Sequence, residues 1–150
     1  MNIMRSLNLH RVKAPLKSTT KEEVLRELID LLVEDSAITD GQEAYEAVLA
    51  REQKGSTGLG EEIAIPHAKT TAVSEVAMAV GVSSEGIEFA SLDGKPAKIF
   101  FLILANPEYS SLHIEALSEI ASITRDEQFR VEILGAKSSQ DIMDALKIGG

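Results

Sequence analysis

The 150-residue chain contains no cysteine, which rules out a disulfide framework, a thiolate metal site and a cysteine nucleophile. Absence of disulfides suits a reducing compartment. No apolar run approaches the roughly 20 residues that a membrane-spanning helix needs. The opening residues, M-N-I-M-R-S-L-N-L-H, are too interrupted by polar side chains for a signal peptide. These absences predict a cytoplasmic protein with no direct membrane insertion. Positive charge is also scarce: Lys and Arg number 15 against 24 Asp and Glu, for a formal charge of -9. Such a chain repels nucleic acid unless a basic patch compensates, and Lys13, Lys17 and Lys21 are scattered without interleaved aromatics, which reads as solvated surface. An acidic protein favours a basic partner instead. No G-x-x-x-x-G-K-[ST] string is present, so direct nucleotide use is not expected. The carboxylates form no cluster that asks for magnesium, and His67 and His113 are too few for zinc unless Glu61 or Glu62 is recruited. No cofactor or metal is expected.

What is present describes a single domain over residues 1–150, with 44% hydrophobic content and length enough for a sizeable core. A short strand is expected within residues 9–16, closed by Pro15. Thr20 and Glu23 form a capping box, and the helix that follows to about Glu34 aligns Val24, Leu25, Leu28, Ile29 and Leu32 on one face. Asp40 caps a second helix, with Glu43 at the reciprocal position and Ala44, Ala47, Val48 and Arg51 along it. Residues 75–82 alternate as a strand with Val76, Met78, Val80 and Val82 on one face. A turn is expected at Ser83-Ser84-Glu85-Gly86, a brief extended piece at Ile87-Glu88-Phe89, and another turn at Asp93-Gly94. The continuous apolar run from Ala97 to Ala105 reads as a central strand buried on both faces. Beyond Asn106-Pro107, a helix carries His113 in its first turn, where an α/β sheet commonly builds a site and a helix N-terminus favours an anion. Two more helical pieces follow, Asp126 to Leu134 and one opened by Ser138 or Ser139, before a fraying Gly149-Gly150 end.

The segment from Arg51 to Ala68, R-E-Q-K-G-S-T-G-L-G-E-E-I-A-I-P-H-A, organises the rest. Ile63-Ala64-Ile65 reads as a strand that stops at Pro66 and presents His67 at an edge, because proline fixes φ and holds the residue before it extended. A neutral imidazole is a nucleophile near physiological pH, and a histidine can divide one transfer into two through a covalent intermediate. Gly55, Gly58 and Gly60 allow backbone N–H groups to approach an anion, and Ser56 and Thr57 add hydroxyl donors. Arg51 has two readings: a planar fork on a phosphoryl group, or a cation complementing its helix dipole. His67 and His113 have a plainer reading as well, as structural histidines.

Glu52, Leu59-Gly60 and Ile63-Ala64-Ile65-Pro66-His67-Ala68 together resemble the phosphohistidine signature of EIIA domains of the phosphoenolpyruvate-dependent sugar phosphotransferase system. The resemblance is to the fructose/mannitol type, including its nitrogen-regulatory members. It extends from about residue 5 to about residue 146, and His113 fits the family's second histidine in H-I-E-A-L-S-E-I-A. The resemblance implies an α/β fold with a mixed sheet sandwiched between helices. It implies that His67 accepts a phosphoryl group from HPr or a nitrogen-branch counterpart, with Arg51 contacting the phosphate and His113 stabilising it. The phosphoryl group then passes to a cysteine of an EIIB domain, or marks a regulatory state. A module that keeps the fold without the transfer chemistry is the remaining alternative, and the intact set of His67, Arg51 and His113 argues against it.

Overall fold

The structure is a computed structural model that describes residues 3–149. Its centre is the apolar run at Ala97–Ala105, which forms β6 with both faces buried. Every second side chain points the same way along a strand, so Phe100, Leu102 and Leu104 join one apolar cluster while Ile99, Phe101 and Ile103 join another. Antiparallel β5, Val76–Ile87, lies beside β6, and the short β1, Val12–Lys13, runs parallel to β5. On the other side of β6, β3 at Ile63–Ala64 and β4 at His67–Lys69 pair with it in parallel, one after the other, and β2 at Gly58–Gly60 returns antiparallel to β3. Among the described residues the sheet is therefore six-stranded and mixed.

Helices α1, Lys21–Glu34, and α2, Gly41–Gln53, cover one face of the sheet. Helices α3, Ser110–Ile123, α4, Glu127–Leu134, and α5, Ser139–Gly149, cover the other. This is the expected mixed sheet between helical layers. The Thr20–Glu23 capping box opens α1 with both reciprocal bonds formed. Asp126 caps α4, and the Ser138 hydroxyl accepts the Asp141 N–H at the start of α5. Gly149 ends α5, while Gly150 and the Met1-Asn2 opening lie outside the described residues.

Local chemistry redirects several sequence expectations. Glu43 does not turn back to complete a box with Asp40; its carboxylate accepts the Thr70 and Thr71 hydroxyls and ties α2 to the end of β4. The turn expected at Ser83–Gly86 is a register irregularity inside β5, where Gly86 at φ 89° places its N–H on the Ser83 hydroxyl. Positive φ of that kind is cheap only for glycine. Ile87 remains in β5, whereas Asp93-Gly94 turns as expected, with Gly94 at φ 75°. The basic side chains are not all solvated: Lys13 pairs with Glu27 at 2.7 Å and Lys21 with Glu52 at 2.8 Å. Glu27 also accepts the backbone N–H groups of Lys17 and Ser18 and the Ser18 hydroxyl. Burial alone would raise its carboxyl pKa, but these partners overcome burial and hold it at about 2.

Candidate functional site

Pro66 interrupts the strand without ending the sheet. Its carbonyl accepts the Ile103 N–H at 3.0 Å, and the chain resumes as β4, with His67 opposite Ile103. His67 is thus the first residue of a new strand rather than the last of an old one, and β6 is the only strand that β4 pairs with among the described residues. Residues Ile63, Ile65 and His67 share the parity that faces α3, while Ala64 and Ala68 face the α1–α2 layer. A side chain at a sheet edge is reachable from both layers. Arg51, in the last turn of α2, and His113, in the first turn of α3, converge on it from opposite sides.

The two imidazoles meet edge to face, with ring centres 5.4 Å apart and planes at 73°. His67 Nδ1 lies 2.8 Å from the carbonyl oxygen of Ile65. A carbonyl only accepts, so Nδ1 carries the hydrogen, and Nε2 of the neutral ring holds the free lone pair. Nε2 is therefore the ring nitrogen left able to accept a bond. His113 is 6% exposed, and its Nε2 is buried without a hydrogen-bond partner in the protein. Burial first, then the proximity of His67 and Lys69, push its pKa down to about 4, so the ring is neutral at physiological pH.

Two grooves flank His67. One, of about 250 Å3, is lined by Arg51, Ser56, Thr57, Leu59, Ile65, Leu117 and Ala121, and its character is mainly apolar. The other, of about 420 Å3, is lined by Arg51, Lys54, Lys69 and His113 together with Ala47, Ala50 and Ala68. Within an acidic molecule this second groove gathers three cations beside an imidazole with a bare nitrogen, which suits an anionic ligand. A larger hollow of about 520 Å3 lies between α1 and its neighbours, with Lys13, Arg26, Glu27 and Tyr45 on its walls. Two of its cations are already engaged: Lys13 on Glu27, and Arg26 on Gln42 and the Tyr45 ring.

His67, His113 and Arg51 are thus brought together as the sequence implied. One Arg51 nitrogen donates to the Gly55 carbonyl at 2.8 Å, so the helix-end role holds too, and the rest of the fork borders both grooves. Ser56 and Thr57 also line the site, yet their hydroxyl hydrogens are not free to serve as the expected anion donors. Ser56 donates to the Phe89 carbonyl, and Thr57 donates to the Glu52 carboxylate. The reason is that the segment from Ser56 to Gly60 needs its own polar groups to fasten it under the 88–94 hairpin, where Leu92 N–H also bonds Gly58 and Glu61 N–H bonds Asp93. Sequence reasoning missed Lys54 and Lys69. The signal for each was periodicity: Lys54 is one helical turn beyond Arg51, and Lys69 is two strand positions beyond His67.

Residues 5–148 match the family model described as phosphoenolpyruvate-dependent sugar phosphotransferase system, EIIA 2. The chain is 40% identical over 146 residues to the PTS system fructose-specific EIIABC component of Bacillus subtilis, covering 97% of this chain but only 23% of that longer protein. It is 40% identical over 127 residues to the PTS system fructose-specific EIIA component of Haloferax volcanii, covering 85% of this chain and 82% of that one. The crystal structure of nitrogen regulatory protein IIA-Ntr from Neisseria meningitidis superposes with a TM-score of 0.87 at 28% identity, covering 96% of this chain and 98% of that one.

Proposed function

Because the chain belongs to the EIIA 2 family of the phosphoenolpyruvate-dependent sugar phosphotransferase system, we propose that it is a phosphohistidine carrier working through His67 in the cytoplasm. The lone pair on His67 Nε2 attacks the phosphorus of the phosphohistidine on HPr or its nitrogen-branch counterpart. A new N–P bond forms as the donor's N–P bond breaks, and the donor nitrogen leaves with that electron pair. A cysteine thiolate of an EIIB domain then takes the phosphoryl group, and the pair returns to Nε2. Throughout, the hydrogen stays on Nδ1, donated to the Ile65 carbonyl. In-line transfer of this kind asks for positioning and charge stabilisation rather than covalent help. The Arg51 fork supplies fixed positive charge, Lys54 and Lys69 supply more, and His113 supplies a ring hydrogen to the phosphoryl oxygens. Ser56 and Thr57 support the site by holding the loop.

The observation that carries this reading is the Nδ1-to-Ile65 hydrogen bond, which leaves Nε2 unprotonated within a cationic groove. The test is incubation with enzyme I, HPr and phosphoenolpyruvate followed by intact mass. A gain of one acid-labile phosphoryl group is expected, and it should vanish in His67→Ala while that variant remains folded. Full labelling of His67→Ala would refute the assignment.

A second reading is a regulatory phosphoprotein whose phosphorylation state controls partner binding, favoured by the similarity to the nitrogen regulatory structure from Neisseria. Supplying a panel of EIIB domains to the labelled protein separates the two, because a relay loses its phosphoryl group to one of them and a regulator retains it.

A further inference from the structure

We propose that Glu52 sets the tautomer and the aim of His67 through a chain of hydrogen bonds, and is thus a positioning residue for the transfer; this rests on the carrier reading above. Glu52 is 5% exposed, and a carboxylate is rarely that buried unless it is paired. Its Oε2 pairs with Lys21 Nζ at 2.8 Å, and Lys21, from the first turn of α1, lies 4.4 Å from the centre of the Phe89 ring. The same carboxylate accepts the Thr57 N–H at 3.2 Å and the Thr57 hydroxyl. With both polar hydrogens of Thr57 directed at Glu52, its carbonyl faces the neighbouring strand and accepts the Ile65 N–H at 3.1 Å. The carbonyl of that same Ile65 accepts His67 Nδ1–H at 2.8 Å.

The chain runs without a break from α1, through the end of α2 and the loop beyond it, to the reacting imidazole. Each link constrains the next: the carboxylate orients Thr57, Thr57 pins the Ile65 N–H, and the carbonyl on the far side of Ile65, in the peptide unit joined to Pro66, selects the ring nitrogen that holds the hydrogen. That selection matters because a free neutral histidine prefers its hydrogen on Nε2, the atom that must be bare to attack. A stability role alone accounts poorly for the arrangement. Buried ion pairs are frequently replaceable by apolar groups without loss, whereas a histidine whose second nitrogen is held by a fixed acceptor keeps one tautomer and one orientation.

The experiment uses the intact protein with 15N-labelled imidazoles, reading the His67 tautomer by two-bond 1H–15N correlation, and the rate of phosphoryl uptake from phosphorylated HPr in single turnovers. Wild-type protein should show Nδ1–H alone. Glu52→Ala should show a mixture of the two tautomers. Its uptake at saturating HPr should fall about tenfold, the scale seen when a group orienting a ligand histidine is removed, with the half-saturating HPr concentration unchanged. Glu52→Gln retains an acceptor oxygen and should restore Nδ1–H and most of the rate. Should Glu52→Ala not fold, Thr57→Val keeps the volume, deletes the hydroxyl link, and should give the same mixture in smaller proportion. A single Nδ1–H tautomer and an unchanged rate in the folded variant would overturn the proposal. If the tautomer shifts in Glu52→Ala although wild-type protein takes up no phosphoryl group, the positioning chain stands and the carrier reading falls.

Discussion

Phosphorylation of His67 should change the proton affinity of His113. In the unmodified protein His113 titrates at about 4 because its ring is buried beside His67 and Lys69. A neutral His67 ring that gains a phosphoryl group while keeping Nδ1–H carries a net charge near minus one. Taking the 5.4 Å separation of the rings as the charge separation, an effective dielectric of about 20 gives roughly 3 kcal/mol of attraction for a protonated His113. At about 1.4 kcal/mol per pH unit this moves the titration up by about two units, into the region of pH 6. His113 then carries a second ring hydrogen and a positive charge at a pH where the ring of the free protein is neutral, so the phosphoryl group strengthens its own donor. The assay is a pair of imidazole 1H–15N titrations between pH 5.5 and 8.5, one on the free protein and one kept phosphorylated by enzyme I, HPr and excess phosphoenolpyruvate. His113 should show no titration in the first and a clear inflection at the acid end of the second. Identical curves would mean that His113 does not sense the phosphoryl group, and its place in the transfer would be lost.

Folding stability should also report His113: its pKa is near 6.5 unfolded and about 4 folded, so the unfolded chain binds more protons between those values. Stability present above pH 6.5 is then lost as pH falls to 4, by about 3 kcal/mol for this group, and urea unfolding of His113→Phe should show a flatter profile across that window; an unchanged profile would contradict the burial argument. Arg51→Lys should leave the fold intact but slow phosphoryl uptake on the order of 10²-fold, because an ammonium cannot both hold Gly55 and offer a fork; an unchanged rate would return Arg51 to a helix-end role. At low HPr concentration, uptake should slow as salt rises, since steering by net charge is screened within about 8 Å at physiological ionic strength; a flat series would assign encounter to the apolar groove instead. Gly58→Ala places a Cβ 2.3 Å from Ser91 Oγ and 3.0 Å from Ser91 Cα, so the 88–94 hairpin must shift, and thermal or urea unfolding should register a loss of about 1–3 kcal/mol; no change would show that the hairpin yields freely.

The sequence by itself determined the central strand, the helices and their capping at Thr20 and Asp40, because these features rest on short-range periodicity and on side chains that bond within their own turn. It also singled out His67, Arg51 and His113, through their place in a string that resembles the EIIA phosphohistidine signature. Tertiary structure decided the rest. Whether Ser56 and Thr57 serve an anion or the fold depended on Phe89 and Glu52 being within reach, and a hydroxyl that finds an internal acceptor no longer offers its hydrogen outward. Whether Lys21 is solvated depended on where the end of α2 falls beside the start of α1. The strand expected to end at Pro66 gives way to β4 because β6 is long enough to pair with both pieces, and no local rule reveals which strand a segment pairs with or in what register. Which ring nitrogen of His67 is left bare was illegible for the same reason: a sequence does not distinguish the two, and only the position of the Ile65 carbonyl does.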